Sequence, residues 1–170
     1  VLAVVGGSLG AQFLNDVATV LAVAHERSFS IVHVTGPTHF EEIAAMAGDV
    51  QGWHPIAFED EMADLYAAAD LVLCRSGALT VSELHATHTP AVLVPLPAGK
   101  GYQAVNAADL ADSGAARIVA QTEPDDVATV VMDLMADSDA RAAMRSANHQ
   151  IDHGRAAATM AERILEVSHA

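Results

Sequence analysis

Lysine occurs once in this 170-residue chain, as Lys100, and cysteine once, as Cys74. Bases number 8 against 22 acids, for a net charge of −14. Phosphate backbones reward clustered cations, so this balance argues against nucleic acid as a partner, and against anionic lipid for this chain alone. A single cysteine allows no internal disulfide and fits a reducing compartment, with the cytosol as the expectation. Within the apolar run Leu71-Val72-Leu73-Cys74 it reads as a small core residue rather than a nucleophile. Long apolar stretches are also missing: none approaches the ~20 residues of a membrane span, and no signal-peptide pattern is present. There is no initiator Met, and the opening Val1-Leu2-Ala3-Val4-Val5 is already a core strand, which favours a portion of a longer protein. Aromatics are scarce at 4%, while hydrophobic residues make up 52%, mainly Ala, Val and Leu. Small side chains of this kind suit helices packed on a sheet.

The pattern alternates strand and helix. Strands are expected over 1–5, 30–35, 52–58 (weak), 71–74, 91–94 and 116–119. Helices are expected over 11–26, 40–47, 62–68, 80–87 and 103–113, and from Pro124 onward with breaks near Ser138 and Gly154. Apolar strands without polar alternation, joined by helices, predict a parallel sheet covered on both faces. Residues 1–170 therefore read as one doubly wound, Rossmann-like α/β domain. Ligands of such sheets bind at the carboxyl ends of strands, and both glycine-bearing loops of interest fall there.

The first loop is Val4-Val5-Gly6-Gly7-Ser8-Leu9-Gly10. Gly6 and Gly7 let a ligand approach the backbone, and the helix start offers amides and a positive dipole to an anion. Steric need alone also explains such glycines, and Ser8 is a natural helix cap. A dinucleotide fingerprint requires G-x-G-x-x-G and an acid ending the second strand. Here the glycine spacing differs and the second strand ends in Thr35-Gly36, so a nicotinamide cofactor is not expected. A Walker loop is excluded because no Gly-Lys-Ser/Thr occurs.

The second loop, Arg75-Ser76-Gly77-Ala78-Leu79-Thr80-Val81-Ser82-Glu83, follows the buried strand 71–74. Gly77 permits close backbone approach, and Ala78, Leu79 and Thr80 present amides fit for a pyrophosphate. On spacing alone, Thr80-x-x-Glu83 is first of all a capping box. A carboxylate beside phosphate is electrostatically unhelpful, so a functional Glu83 must face something else. Ribose suits it, because one carboxylate accepts hydrogen bonds from two vicinal hydroxyls.

Four blocks in order, GGSLGAQFLN, DLVLCRSGALTVSEL, PAVLVPLP and YQAVNAADLADSGAA, resemble the carboxyl-terminal half of the MurG family of bacterial glycosyltransferases. The resemblance covers essentially the whole chain. It implies the carboxyl-terminal half of a GT-B fold, in which two Rossmann-like domains face each other across a cleft and this one binds UDP-N-acetylglucosamine. It further implies inverting transfer of N-acetylglucosamine to lipid I, forming lipid II for peptidoglycan, with no cofactor and no metal. The sequence is read as agreeing, with no Asp-x-Asp metal clamp expected among its loops. The acceptor, the membrane-facing patch and the general base would belong to an amino-terminal domain absent from this chain. The whole protein would be peripheral on the cytoplasmic face of the plasma membrane.

Carried over residue by residue, the resemblance gives Ser8 a donor contact. It gives the run Ala78, Leu79, Thr80, Val81, Ser82 and Glu83 the ribose and phosphate, with Glu83 on the ribose hydroxyls. Gln103 falls to the sugar hydroxyls, and Asn106 supports that helix start. Glu59 occupies the position whose backbone binds uracil, where an apolar residue is usual. Tyr102 replaces Gln or His, and His88 stands where Gly commonly ends the helix. Arg75 and Lys100 are the cations expected near the site, and Arg75 alternatively anchors its own loop.

The nine histidines include two pairs at helical spacing, His85 with His88 and His149 with His153. Each lacks a third metal ligand and reads as surface. Two other functions remain open on sequence: a UDP-N-acetylglucosamine 2-epimerase of similar fold, which the second loop argues against, and a nucleotide-sugar-binding module without catalysis.

Overall fold

Leu2, Val4, Leu71 and Leu73 turn to one side of a sheet while Ala3, Val5, Val72 and Cys74 turn to the other, and all are buried. Two-sided burial is what unalternating apolar strands require. Each fully buried Val or Leu side chain contributes about 1.5–3 kcal/mol through removal from water. The computed structural model describes residues 1–97, 101–150 and 156–168. Its elements in chain order are β1 (Leu2–Val5), α1 (Gln12–Val23), β2 (Ile31–Val34), α2 (Phe40–Ala47), β3 (Trp53–Ile56), α3 (Met62–Ala68), β4 (Leu71–Cys74) and α4 (Ala78–Thr87). After these come β5 (Ala91–Leu93), α5 (Tyr102–Asn106), α6 (Ala108–Asp112), β6 (Ala116–Ile118), α7 (Pro124–Ala136), α8 (Ser138–His149) and α9 (Ala156–Ser168).

Among the described residues the sheet has six strands, all parallel, in the order β3-β2-β1-β4-β5-β6. This is the doubly wound order, and its direction reverses between β1 and β4, where ligands of such sheets bind. Register brings the two loops level there: Val5 pairs with Val34 on one side and with Cys74 on the other. Helices α1 and α7 cover one face, with Leu14, Val17, Leu21, Val127 and Val131 in the core. The opposite face is covered by Leu65 and Tyr66 of α3, Val81 and Leu84 of α4, and Leu110 of α6. Pro55, which cannot donate to a ladder, lies in the edge strand β3.

Several boundaries differ from the sequence expectation. α1 stops at Val23 rather than Glu26. Arg27 terminates it, donating to the carbonyl of Ala22 as well as those of Phe29 and Gln51. The helix expected over 103–113 is two short helices parted at Ala107. α4 begins at Ala78, two residues earlier than expected. The break near Ser138 is real, with Asp137 Oδ1 accepting from the Ala140 amide at 2.8 Å as the cap of α8. Asp137-Ser138-Asp139, an Asp-x-Asp triplet in sequence, is thus a helix start. Gly154, His153 and Lys100 lie outside the described residues.

Candidate functional site

The loops after β1 and β2 are built by contacts that only glycine permits, at Gly6, where a Cβ would stand 2.4 Å from the Ala11 amide nitrogen, and at Gly10 and Gly36. Gly10 has φ +78° and Gly36 φ +84°. A Cβ on Gly10 would stand 2.1 Å from the Thr35 carbonyl oxygen, and one on Gly36 would stand 2.4 Å from that of Leu9. The two loops after β1 and β2 are therefore pressed backbone to backbone. Ser8 and Leu9 project outward from this support. Ser8 is not the helix cap: Ala11 holds that position, with no side-chain cap bond.

At the start of α4, Gly77 is the N-cap and no side chain caps the helix. The first backbone bond runs from the Val81 amide to the Gly77 carbonyl at 3.0 Å, leaving the amides of Ala78, Leu79 and Thr80 without helical acceptors. The capping-box expectation fails here. Thr80 is the third residue of the helix rather than its cap, so Glu83 has no capping partner to answer. Gly77 has an ordinary φ of −63°, and the nearest atom to a Cβ there would be Thr80 Oγ1 at 4.0 Å. The chain itself does not require glycine at position 77.

Two cavities open between the loops. The first, about 190 Å³, is lined by Gly7, Ser8, Phe58, Glu59, Leu79, Thr80 and Glu83, with Tyr66 and Met62 of α3. The second, about 500 Å³, is lined by Gly6, Gly7, Arg75, Gly77, Leu96, Gln103 and Gln121 among others. Gly7 and Thr80 border both cavities. Site candidates from distant parts of the sequence thus converge: Ser8, Glu59, Leu79, Thr80 and Glu83 on one cavity, Gln103 on its neighbour. Val81 instead packs in the core, and Ser82 turns its hydroxyl back to the Ala78 carbonyl at 3.0 Å.

The surrounding bonds hold the second loop rigidly. Arg75 Nη1 donates to the Val94 carbonyl at 3.0 Å while the guanidinium lies 5.9 Å from the centre of the Phe13 ring, so Arg75 anchors its own loop. Burial lowers its affinity for the proton, though it stays charged at working pH. Buried Ser76 donates to the Gln103 carbonyl at 2.8 Å, and Asn106 Nδ2 donates back to the Ser76 carbonyl at 3.3 Å. Gln103 Oε1 accepts the Leu96 amide at 2.9 Å, and Gln103 lines the second cavity. Glu59 Oε1 accepts the Glu61 amide at 2.8 Å, so this unusual acid turns its charge to the start of α3.

Of the two histidine pairs, His85 and His88 do not form a ligand set, and the second pair's His153 lies outside the described residues. His85 Nδ1 lies 3.1 Å from Asn148 Oδ1. His88 caps α4 in the left-handed conformation usual for glycine, φ 52°, and stacks on His149 at 3.7 Å between ring centres. Among the described residues no group of three His, Cys, Asp or Glu side chains is placed to hold a metal.

Sequence reasoning missed the residues behind the first loop. Trp53 Nε1 donates to His33 Nδ1 (3.4 Å), His33 Nε2 meets Asn15 Oδ1 (2.9 Å), and Asn15 Nδ2 donates to the Thr35 carbonyl (3.2 Å). That carbonyl is the one against which Gly10 is pressed. The available signal was Asn15, a polar residue within the apolar stripe Leu14, Val17, Ala18 and Leu21. Burial lowers the His33 pKa from 6.5 to about 4. In the unfolded chain His33 protonates near 6.5, so its contribution is intact above that pH and is lost as pH falls toward 4. The loss amounts to roughly 3 kcal/mol. Urea unfolding at pH 7 and pH 4.5 checks this: His33→Gln should flatten the acid slope, and an unchanged slope would assign it to other groups.

With the geometry in place, comparison with known proteins is decisive. The glycosyltransferase family 28 C-terminal domain matches residues 1–164. The chain belongs to this family. Among curated relatives, the UDP-N-acetylglucosamine--N-acetylmuramyl-(pentapeptide) pyrophosphoryl-undecaprenol N-acetylglucosamine transferase of Mycobacterium ulcerans is 40% identical over 99% of this chain and 44% of its own length. The protein of the same name from Mycolicibacterium smegmatis is 37% identical over 100% of this chain and 45% of its own length. The chain thus spans under half the length of these relatives. Acinetobacter baumannii MurG superposes with a TM-score of 0.77 at 34% identity, over 88% of this chain and 45% of that one. The calicheamicin glycosyltransferase CalG4, at 23% identity and a TM-score of 0.67 over 97% of this chain and 42% of that one, shares the fold. The family 28 domain in this chain is therefore the parallel α/β sheet expected from its sequence, with its strand-end loops facing one crevice.

Proposed function

We propose that residues 1–170 form the donor-binding domain of an enzyme that transfers N-acetylglucosamine from UDP-N-acetylglucosamine to lipid I, forming lipid II. The relatives' names supply the reaction. The observation that carries the reading for this chain is the convergence of Glu83, Thr80, Leu79 and Ser8 on a cavity between β1 and β4, at a helix start whose first three amides have no helical acceptor. Gly77 supports it too, since its missing side chain leaves room that the protein does not fill.

In this reading Glu83 accepts the two ribose hydroxyls, and Phe58-Glu59 borders the base. The pyrophosphate lies against the amides of Ala78 to Thr80 and the backbone of Gly6-Gly7. The sugar then reaches toward Gln103 in the second cavity. The acceptor hydroxyl attacks the anomeric carbon as the bond to UDP breaks on the opposite face, with inversion. The diphosphate gathers charge as it leaves, so amides already aimed at it by the fold lower the barrier. Lipid I, the general base and contact with the cytoplasmic face of the plasma membrane fall to an amino-terminal domain outside this chain. No helix among the described residues is long and apolar enough to cross a membrane.

Calorimetry tests the assignment. The chain should bind UDP-N-acetylglucosamine and UDP but not free N-acetylglucosamine, and should form no lipid II when supplied with lipid I. Silence toward UDP at millimolar concentration would contradict the donor reading. Lipid II formation by the chain alone would contradict the division between domains.

A further inference from the structure

Tyr66 of α3 is fully buried, and its hydroxyl makes no hydrogen bond of ordinary length and angle, although the Glu83 and Thr80 side chains lie close enough to interact with it. Such an arrangement is costly, because a buried hydroxyl that gives up water without a new partner loses on the order of 1–3 kcal/mol. A Phe would fill the same space without that penalty. The residue nevertheless borders the smaller cavity beside Glu83 and Thr80, and both of these act on its phenol. Burial raises the phenol pKa, and the nearby Glu83 carboxylate raises it further through its charge and as a hydrogen-bonding neighbour, while Thr80 acts in the opposite sense. The group therefore keeps its hydrogen throughout the working pH range and is a donor in search of an acceptor. The one carboxylate lining the cavity close enough to affect it is that of Glu83.

We infer that Tyr66 is a positioning residue: when a ribose diol engages Glu83, the Tyr66 hydroxyl donates to the same carboxylate and fixes it for the vicinal hydroxyls. This rests on the donor reading above. Tyr66 has no solvent-accessible surface, so it acts through Glu83 rather than on the ligand itself. A carboxylate has lone pairs for two sugar hydroxyls and one buried donor together. The poorly paired hydroxyl in the free domain is then stability forgone in exchange for a defined carboxylate when ligand arrives.

A purely structural tyrosine and a positioning one predict different behaviour in Tyr66→Phe. The positioning role predicts an unchanged or raised melting temperature, together with UDP affinity weakened on the order of fivefold. The loss should shrink for 2′-deoxy-UDP, which offers Glu83 one hydroxyl fewer, and should vanish in a Glu83→Gln background, where the cycle isolates coupling between the two residues. UDP affinity equal to the parent's would overturn the inference while leaving the donor reading intact. So would a melting point lowered by several degrees, or an equal loss with and without Glu83. A parent chain that binds no UDP would overturn the donor reading and this inference together.

Discussion

Glu83→Gln should bind UDP about 10- to 150-fold more weakly than the parent at an unchanged melting temperature. The affinity term follows from replacing a charge-assisted acceptor pair by one oxygen and an amide donor, a change worth roughly 1.5–3 kcal/mol. The stability term follows from the helix start. Thr80 lies inside α4 and Gly77 caps it, so Glu83 serves no cap whose loss could be felt. The two readings of this carboxylate therefore separate in one variant. A lowered melting point with unchanged UDP binding would return Glu83 to a structural role. Isothermal titration and a thermal melt on the same preparation decide it.

Gly10→Ala should be the most damaging single-methyl change in the first loop. Alanine is strained at φ +78°, and its methyl would meet the Thr35 carbonyl oxygen at 2.1 Å, a backbone atom that cannot swing aside. The expected loss is on the order of 4 kcal/mol, enough to abolish folding in a marginally stable domain. Gly77→Ala is the matched contrast. Its φ of −63° suits alanine and the nearest atom lies 4.0 Å away, so stability should hold. UDP affinity should nonetheless fall, because the methyl enters space assigned to the pyrophosphate. Chemical denaturation ranks the stabilities of the two variants. Equal damage from both would show that Gly77 also serves the chain rather than the ligand.

The fold was legible because the unalternating runs Leu2–Val5 and Leu71–Cys74 tolerate only two-sided burial. Element ends were less so. Arg27 ties the Ala22 carbonyl at the end of α1 to the Gln51 carbonyl, a distant partner that no local pattern encodes. Likewise Asn106 bonds back to Ser76 across 30 positions, beside the break between α5 and α6. That Ser8, Thr80 and Glu83 would line one cavity was readable because each belongs to a strand-end loop of distinctive composition. Tyr66 and His33 were not, since their roles depend on which groups the sheet order brings beside them. The capping box misled for a related reason: the Thr-x-x-Glu spacing is correct, but α4 starts two residues earlier than the pattern suggests.

The measurement closest to the central claim is an amide map of the isotopically labelled chain titrated with UDP-N-acetylglucosamine. If the crevice between β1 and β4 holds the donor, the largest shifts should fall on the amides of Gly7, Ser8, Ala78, Leu79 and Thr80, with smaller ones at Phe58 and Glu59. Shifts centred elsewhere, for instance on the groove between α1 and α7, or none at millimolar ligand, would contradict it.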